Sequence, residues 1–329
     1  MAVSVQFTRH SELTPPPSPV GTFLGFLLAS GFSLVYLVAP VYIIGCLLSF
    51  LYNLLTLTKP SLLTVPFVVS VLLPPIHAPA FVSKLTPLMT YFKYSEIRET
   101  SDEDMLRMME KENKKFILAA TPHGVISFTG MCSAVYCIPE FRNIHTAAAS
   151  AVLQTPILKH VMGIFGLTNA SGKNLMKHFK KKGVKGSVVL YVGGIAELFK
   201  SSRKEERLYL SARKGFIKMA LRNGVDVIPL YLMGNTSVLT VLKWGPLASL
   251  SRKLQASITY FWGWGGLPIP RPNKILYVRG RPLGLPKIEE PTDKDVEKWH
   301  AHYCAEVTRI FETYRGELDD YAKKEIYID

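Results

Sequence analysis

The sequence predicts an α/β protein, a sheet flanked by helices and preceded by an N-terminal membrane hairpin. Three observations point there. From Phe116 onward, apolar runs of strand length (FILAA, SVVLYV, VDVIPLYL and KILYVRG) alternate with helix-like stretches and glycines, the pattern of a largely buried sheet. No Asp, Glu, Lys or Arg occurs from Leu13 to Thr58. Finally, Val296, Trp299, Tyr303, Val307, Ile310 and Tyr314 fall three and four apart between Thr292 and Tyr314, which is the spacing of a helix with one apolar face.

From the N-terminus, residues 1–20 are polar and proline-rich (Pro15, Pro16, Pro17, Pro19) and are expected to be a disordered tail. The next 37 residues, Gly21 to Leu57, are overwhelmingly apolar. One membrane crossing needs about 20 such residues, so this stretch suits two short spans, with both ends on one side. Pro40 and Gly45 lie where such a hairpin could turn. A cleaved signal peptide has an apolar core of only ~7–15 residues, far shorter than this one. A second uncharged stretch, Pro60 to Ser83, is broken by prolines and reads as interfacial or buried. Tyr94 to Lys115 turns strongly polar, as a connector or surface helix would. The expected organisation is therefore a tail at 1–20, a hydrophobic hairpin and interfacial segment at 21–76, and a membrane-associated α/β domain at 77–329.

Composition narrows the partners. The 329 residues are 48% hydrophobic with a mean hydropathy of +0.17, high for a protein without membrane contact. Net charge is +14, and it is uneven: Ser150 to Arg281 holds 22 Lys and Arg against four acids. Such a basic face suits nucleic acid, an anionic membrane surface or a phosphorylated small molecule. With no zinc-finger spacing, RNP-like aromatic motif or basic zipper, nucleic acid is set aside. The four cysteines, Cys46, Cys132, Cys137 and Cys304, are too scattered for a disulfide framework and lack zinc-ligand spacing. They read as reduced thiols facing the cytosol.

Two motifs carry chemistry. The run FILAA ends in Thr121-Pro122-His123-Gly124, which puts His123 at the carboxyl end of a strand, where open α/β sheets bind their ligands. A histidine there is either a base or a core residue bonded to main chain. Some seventy residues on, SVVLYV leads into Gly193-Gly194-Ile195-Ala196-Glu197. These glycines expose backbone N–H groups. Glu197 then follows within one helical turn, either as a partner for His123 or merely as an acid suited to a helix N-terminus. A third feature is basic. Ser211 reads as the N-cap of a helix, ARKGFIKMALRN, stopped by Gly224. Lys214, Lys218 and Arg222 recur every fourth residue on it, opposite Phe216, Ile217, Ala220 and Leu221. The segment Gly166 to Lys173 fails as a P-loop, since its glycines are one residue too far apart and Asn174 stands where Ser or Thr is needed. Asn169 and Asn235 each open a glycosylation sequon, unused if the domain faces the cytosol.

Together these features resemble the type-2 diacylglycerol acyltransferase family of membrane acyl-CoA acyltransferases. The resemblance rests on TPHGVISFTG, YVGGIAELF, RKGFIKMALRNGVDVIPLYLMGN and GLPIPRPNKILYVRGRPL, with the apolar N-terminus and the aromatic C-terminal helix, and covers roughly residues 20 to 315. It implies an acyltransferase-like mixed sheet and transfer of a fatty acyl group from acyl-CoA to the free hydroxyl of a glyceride, with His123 and Glu197 in the active site. Diacylglycerol is the expected acceptor, giving triacylglycerol. Monoacylglycerol or a long-chain alcohol would use the same chemistry, and a non-catalytic lipid-binding membrane protein is the reading from a different class. The family setting implies the endoplasmic reticulum membrane, a cytosolic catalytic domain, and lipid droplets as a second location. Acyl-CoA is a co-substrate, no metal or bound cofactor is required, and homo-oligomerisation is left open. Thr121 stands where the family's commonest motif, His-Pro-His-Gly, has its first histidine; a hydroxyl there can make an equivalent hydrogen bond.

This chemistry asks for these residue types. A hydroxyl is a poor nucleophile at neutral pH and needs a base to take its proton. His123 suits that task, with Glu197 expected to hold the ring and stabilise the imidazolium. Attack on a thioester builds negative charge on its carbonyl oxygen, for which backbone N–H groups at Gly124, Gly193 and Gly194 are the candidates. No G-x-S-x-G elbow is present, which favours direct transfer over an acyl-enzyme. Arg213, Lys214 and Lys218 are the expected binders of the coenzyme A phosphates.

Overall fold

The structure is a computed structural model that describes residues 6–8, 18–200, 203–246 and 260–329. Its strands are β1 (Gln6–Thr8), β2 (Ser95–Arg98), β3 (Phe116–Thr121), β4 (His145–Ala148), β5 (Leu167–Asn169), β6 (Val188–Tyr191), β7 (Glu206–Leu208), β8 (Asp226–Met233), β9 (Thr240–Val241), β10 (Phe261–Trp262), β11 (Leu276–Arg279) and β12 (Ile326–Ile328). The helices that matter below are α1 (Pro19–Thr56), α2 (Val65–Leu72), α3 (Asp102–Glu110), α4 (Phe128–Tyr136), α5 (Gly172–Phe179), α6 (Gly194–Lys200), α7 (Gly215–Asn223) and α8 (Asp293–Tyr314).

Eight strands form one mixed sheet in the order β1-β2-β11-β8-β3-β6-β4-β5. Its centre, β8-β3-β6-β4-β5, is parallel throughout, and β11 joins it antiparallel to β8. The central strands are apolar on both faces because both faces are covered. Along β3, Phe116, Leu118 and Ala120 point into one core, beneath α1, α3 and α4, while Ile117 and Ala119 point into the other, beneath α5, α7 and α8. All four apolar runs singled out in the sequence are strands of this sheet.

Several expectations need correcting. The membrane hairpin is instead a single helix: α1 runs unbroken for 38 residues with Pro40 inside it, a length of about 57 Å. A turn inside VAPVYIIGC would have left several backbone groups unpaired in a strongly apolar stretch. A helix bonds those groups internally and loses little at one proline. By length and composition α1 can cross a membrane. The polar stretch Tyr94–Lys115 contributes strand β2 as well as α3, whose N-terminus is capped by Ser101. The basic helix starts at Gly215 rather than after Ser211, whose N–H is bonded to the carbonyl of Asp329. Gly224 does end it, in the left-handed conformation (φ 59°). Within the expected polar tail, Gln6–Thr8 pairs antiparallel with β2, and residues 1–5 and 9–17 lie outside the described residues.

The two halves of α1 have different surroundings. Gly25 packs so tightly on the Pro87 backbone that no side chain fits there, Phe26 meets Tyr91 edge-on at 6.2 Å, and Phe32 packs on Phe165 at 5.9 Å. Beyond Pro40 the helix presents Val41, Ile44, Leu47, Leu48, Leu51 and Leu55 to the outside. Exposed apolar side chains continue through α2 to Ile76.

Candidate active site

Three adjacent parallel strands, β6, β3 and β8, end at one edge of the sheet. Their C-terminal extensions are Val192-Gly193-Gly194, Pro122-His123-Gly124 and Gly234-Asn235. Register therefore gathers three motifs that the sequence keeps far apart.

Glu197, on the first turn of α6, is completely buried and ties the first two extensions together. Its Oε1 accepts from the Thr121 hydroxyl at 2.6 Å, and its Oε2 accepts from the His123 main-chain N–H at 2.7 Å. Thr121 thus does make a hydrogen bond at the place of the missing histidine. The expectation that Glu197 holds the imidazole is corrected: it holds the backbone beneath it. Gly193 is required here, because any side chain on it would overlap the Glu197 carboxylate. Burial lifts the Glu197 carboxyl to about 7, against the pull of its Thr121 and His123 hydrogen bonds.

The His123 ring is oriented by its neighbour. Nδ1 lies 2.7 Å from the Gly124 carbonyl, which can only accept, so Nδ1 carries the proton and Nε2 the lone pair. Burial lowers the His123 pKa, so the neutral, basic imidazole predominates at pH 7. Tyr191 packs edge-on against the ring at 4.7 Å and donates its hydroxyl to Ser127 Oγ at 2.7 Å.

Asn235 closes the third side. Its Nδ2 donates to the carbonyl of His123, and its Oδ1 accepts from the Thr129 N–H at 3.3 Å. Gly124 lies against it at φ +63°, and a Cβ at Gly124 would come 2.7 Å from Asn235 Nδ2. The sequence reading saw Asn235 only as a sequon. It is 1% exposed, so the folded chain hides that sequon. The signal that could have found its role is its position, directly after the glycine ending a central strand.

His123 opens onto a cavity of about 330 Å³ whose walls are mainly apolar. Met131, Val152, Phe165 and Leu167 line it from the domain, and Tyr36 from α1. Of the three candidate backbone donors, Gly124 and Gly194 line this cavity, whereas Gly193 packs on Glu197 instead. Of the three expected phosphate-binding cations, Arg213 is the one beside the site: a Cβ at Gly194 would lie 3.9 Å from its Nη2. Lys214 and Lys218 pair with Glu297 (2.6 Å) and Asp293 (3.9 Å) of α8. Among the described residues, no group of three or more His, Cys, Asp or Glu is placed to hold a metal ion, and all four cysteines are free.

Fold and site together define a class: a mixed-sheet α/β protein whose carboxylate-braced histidine faces an apolar cavity, part of whose wall is a long apolar helix. The diacylglycerol acyltransferase family profile matches residues 83–326, and the chain belongs to that family. Over 228 residues it is 30% identical to diacylglycerol O-acyltransferase 2 of Dictyostelium discoideum, covering 63% of this chain and 68% of that protein. It is 27% identical over 225 residues to diacylglycerol O-acyltransferase 2 of Homo sapiens, covering 61% of this chain and 57% of the human one. Against diacylglycerol O-acyltransferase 2-like protein 6 of Homo sapiens the identity is 30% over 230 residues, covering 61% and 66%. The chain thus spans less than two thirds of the length of several of these relatives. No solved structure matches it.

Proposed function

We propose that this member of the family is an acyl-CoA-dependent O-acyltransferase that acylates diacylglycerol to triacylglycerol, with His123 as general base. The observation that carries the reading is the ring's placement, with a neutral imidazole held by the Gly124 carbonyl at the mouth of an apolar cavity. In this mechanism Nε2 takes the proton of the acceptor hydroxyl as its oxygen bonds to the thioester carbonyl carbon. Charge on that carbonyl oxygen is met by main-chain N–H groups at Gly124 and Gly194. Collapse breaks the carbon–sulfur bond, and the imidazolium returns the proton to the departing thiolate. Glu197 keeps the loop in place from below. The cavity suits an acyl chain.

Membrane residence has its own support. The second half of α1 and the segment through Ile76 expose a long succession of large apolar side chains, as a membrane contact would need. Tyr36 puts α1 into the cavity wall, so a lipid acceptor has a short route from the bilayer to His123. The endoplasmic reticulum membrane, with the α/β domain cytosolic, and lipid droplets are the proposed locations.

The test is transfer of labelled oleoyl-CoA to diacylglycerol, monoacylglycerol or a fatty alcohol by microsomes lacking their own neutral-lipid synthesis. His123→Ala should reduce triacylglycerol formation at least ~100-fold with the protein still folded and membrane-bound. Near-wild-type activity in that variant would remove His123 from the mechanism.

A further inference from the structure

A thioester donor of this kind is bipartite. Its acyl chain needs apolar walls, its phosphates need cations, and the reacting carbonyl lies between. The apolar cavity serves only the first end. A second, smaller cleft of about 150 Å³ shares its walls at Gly124, Val125 and Leu198 but runs the other way, over Thr240 and Val241 to Arg203 and Lys243. Arg271 holds the chain that lines it, donating to the carbonyl of Ser237 (3.2 Å) and to Oγ1 of Thr240 (3.0 Å). The two clefts therefore meet at the loop that carries His123.

Charge separates this cleft from the basic face of α7. Lys214 and Lys218 are already matched by acids of α8. Among the described residues, neither Arg203 nor Arg271 has an ion-pair partner. Burial lowers the Arg271 pKa, and the positive charge of Arg203 lowers it further. The nearby acid, Glu205, is engaged by Arg207 at 2.7 Å. Glu205 also acts on Lys243, whereas Arg203 and Arg271 repel one another at a cost that an anion would relieve.

We infer that Arg203 and Lys243, on the far side of Gly124 from the apolar cavity, bind the phosphate groups of the acyl donor. This rests on the acyl-CoA reading above and extends it by assigning the donor's direction. The acyl chain lies in the large cavity, the thioester beside His123, and the phosphorylated arm along β9 to the two cations. The site takes phosphate-bearing thioesters and is indifferent to the acceptor.

The test uses the full chain in nanodiscs, with palmitoyl-CoA and uncharged palmitoyl-pantetheine as alternative donors and diacylglycerol as acceptor. Calorimetric titration with coenzyme A measures binding separately. In the Arg203→Gln, Lys243→Gln double variant, the KM advantage of palmitoyl-CoA over palmitoyl-pantetheine should shrink about tenfold, and coenzyme A should bind about tenfold more weakly. Wild-type binding of coenzyme A that the double variant weakens, without any transfer, would support this site while ending the acyltransferase reading. Three results would overturn the assignment: active transfer with the donor ratio intact in the double variant, a loss seen instead in Lys214→Gln, Lys218→Gln, or no binding of coenzyme A by the wild type.

Discussion

Glu197 and Glu206 are both fully buried, yet their surroundings differ in kind. Glu206, on β7, faces the buried ammonium of Lys324 at 3.1 Å and accepts from the hydroxyls of Thr236 (2.6 Å) and Tyr321 (2.9 Å). Glu197 accepts instead from uncharged donors, among them the Thr121 hydroxyl and the main-chain N–H groups of His123 and Tyr209. A cation at that distance compensates a buried carboxylate. One with neutral donors is left close to its titration point. The first kind of carboxylate fastens the C-terminal segment to the domain, since β12 pairs with β7. The second stands under the histidine loop, where a change of charge can be felt.

The largest effect expected from this contrast is on stability. Lys324→Met leaves the Glu206 carboxylate buried without its cation and should cost about 3–5 kcal/mol in urea unfolding. A loss below ~1 kcal/mol would show that the Lys324–Glu206 pair does not fasten the C-terminal segment. Glu197→Gln should behave in the opposite sense, because an amide can keep both hydrogen bonds. Turnover should fall by about tenfold with KM little changed, and a pure KM effect would make Glu197 a binding residue.

The pH dependence sharpens the same comparison. The Glu197 carboxyl is raised from 4.5 to about 7, so the folded chain holds this proton more tightly than the unfolded one. Its contribution to stability is complete below about pH 4.5 and is lost as pH rises towards 7. The steepest slope is about 1.4 kcal/mol per pH unit. Unfolding midpoints at pH 5, 6 and 7 should decline in the wild type more than in Glu197→Gln. Equal slopes would mean that Glu197 does not titrate there. The smallest effect belongs to Thr121→Val, which removes one donor to Glu197 and should cost about 1 kcal/mol, raising the carboxyl further. An unchanged midpoint would leave that hydroxyl without a role.

Much of this was legible before the fold was known. FILAA, SVVLYV, VDVIPLYL and KILYVRG become central strands because a sheet covered on both faces needs unbroken apolar runs. Thr292 and Asp295 form a capping box at the start of α8, so that helix begins where the pattern says. The short strands β4 and β5 at one end of the sheet carry no such signal, being only partly buried. The continuous path of α1 was hidden as well. Composition reports that a stretch is apolar, but whether Pro40 turns or merely interrupts a bond depends on what surrounds it.

Taken alone, the amino-acid order determined which residues could do chemistry: a histidine and a carboxylate, each beside glycine at a strand end. It also determined that an uncharged N-terminal segment must seek an apolar setting. Only the tertiary structure decided how those groups meet. Parallel pairing of β6, β3 and β8 brings together side chains from positions 121, 197 and 235, and register across a sheet is a long-range property that no local pattern records. The same packing turned Glu197 towards the backbone of His123 rather than its ring, made Asn235 a clamp instead of a sequon, and set Lys214 and Lys218 against the acids of α8. Each outcome follows from which surfaces the core brought into contact, which local sequence does not specify.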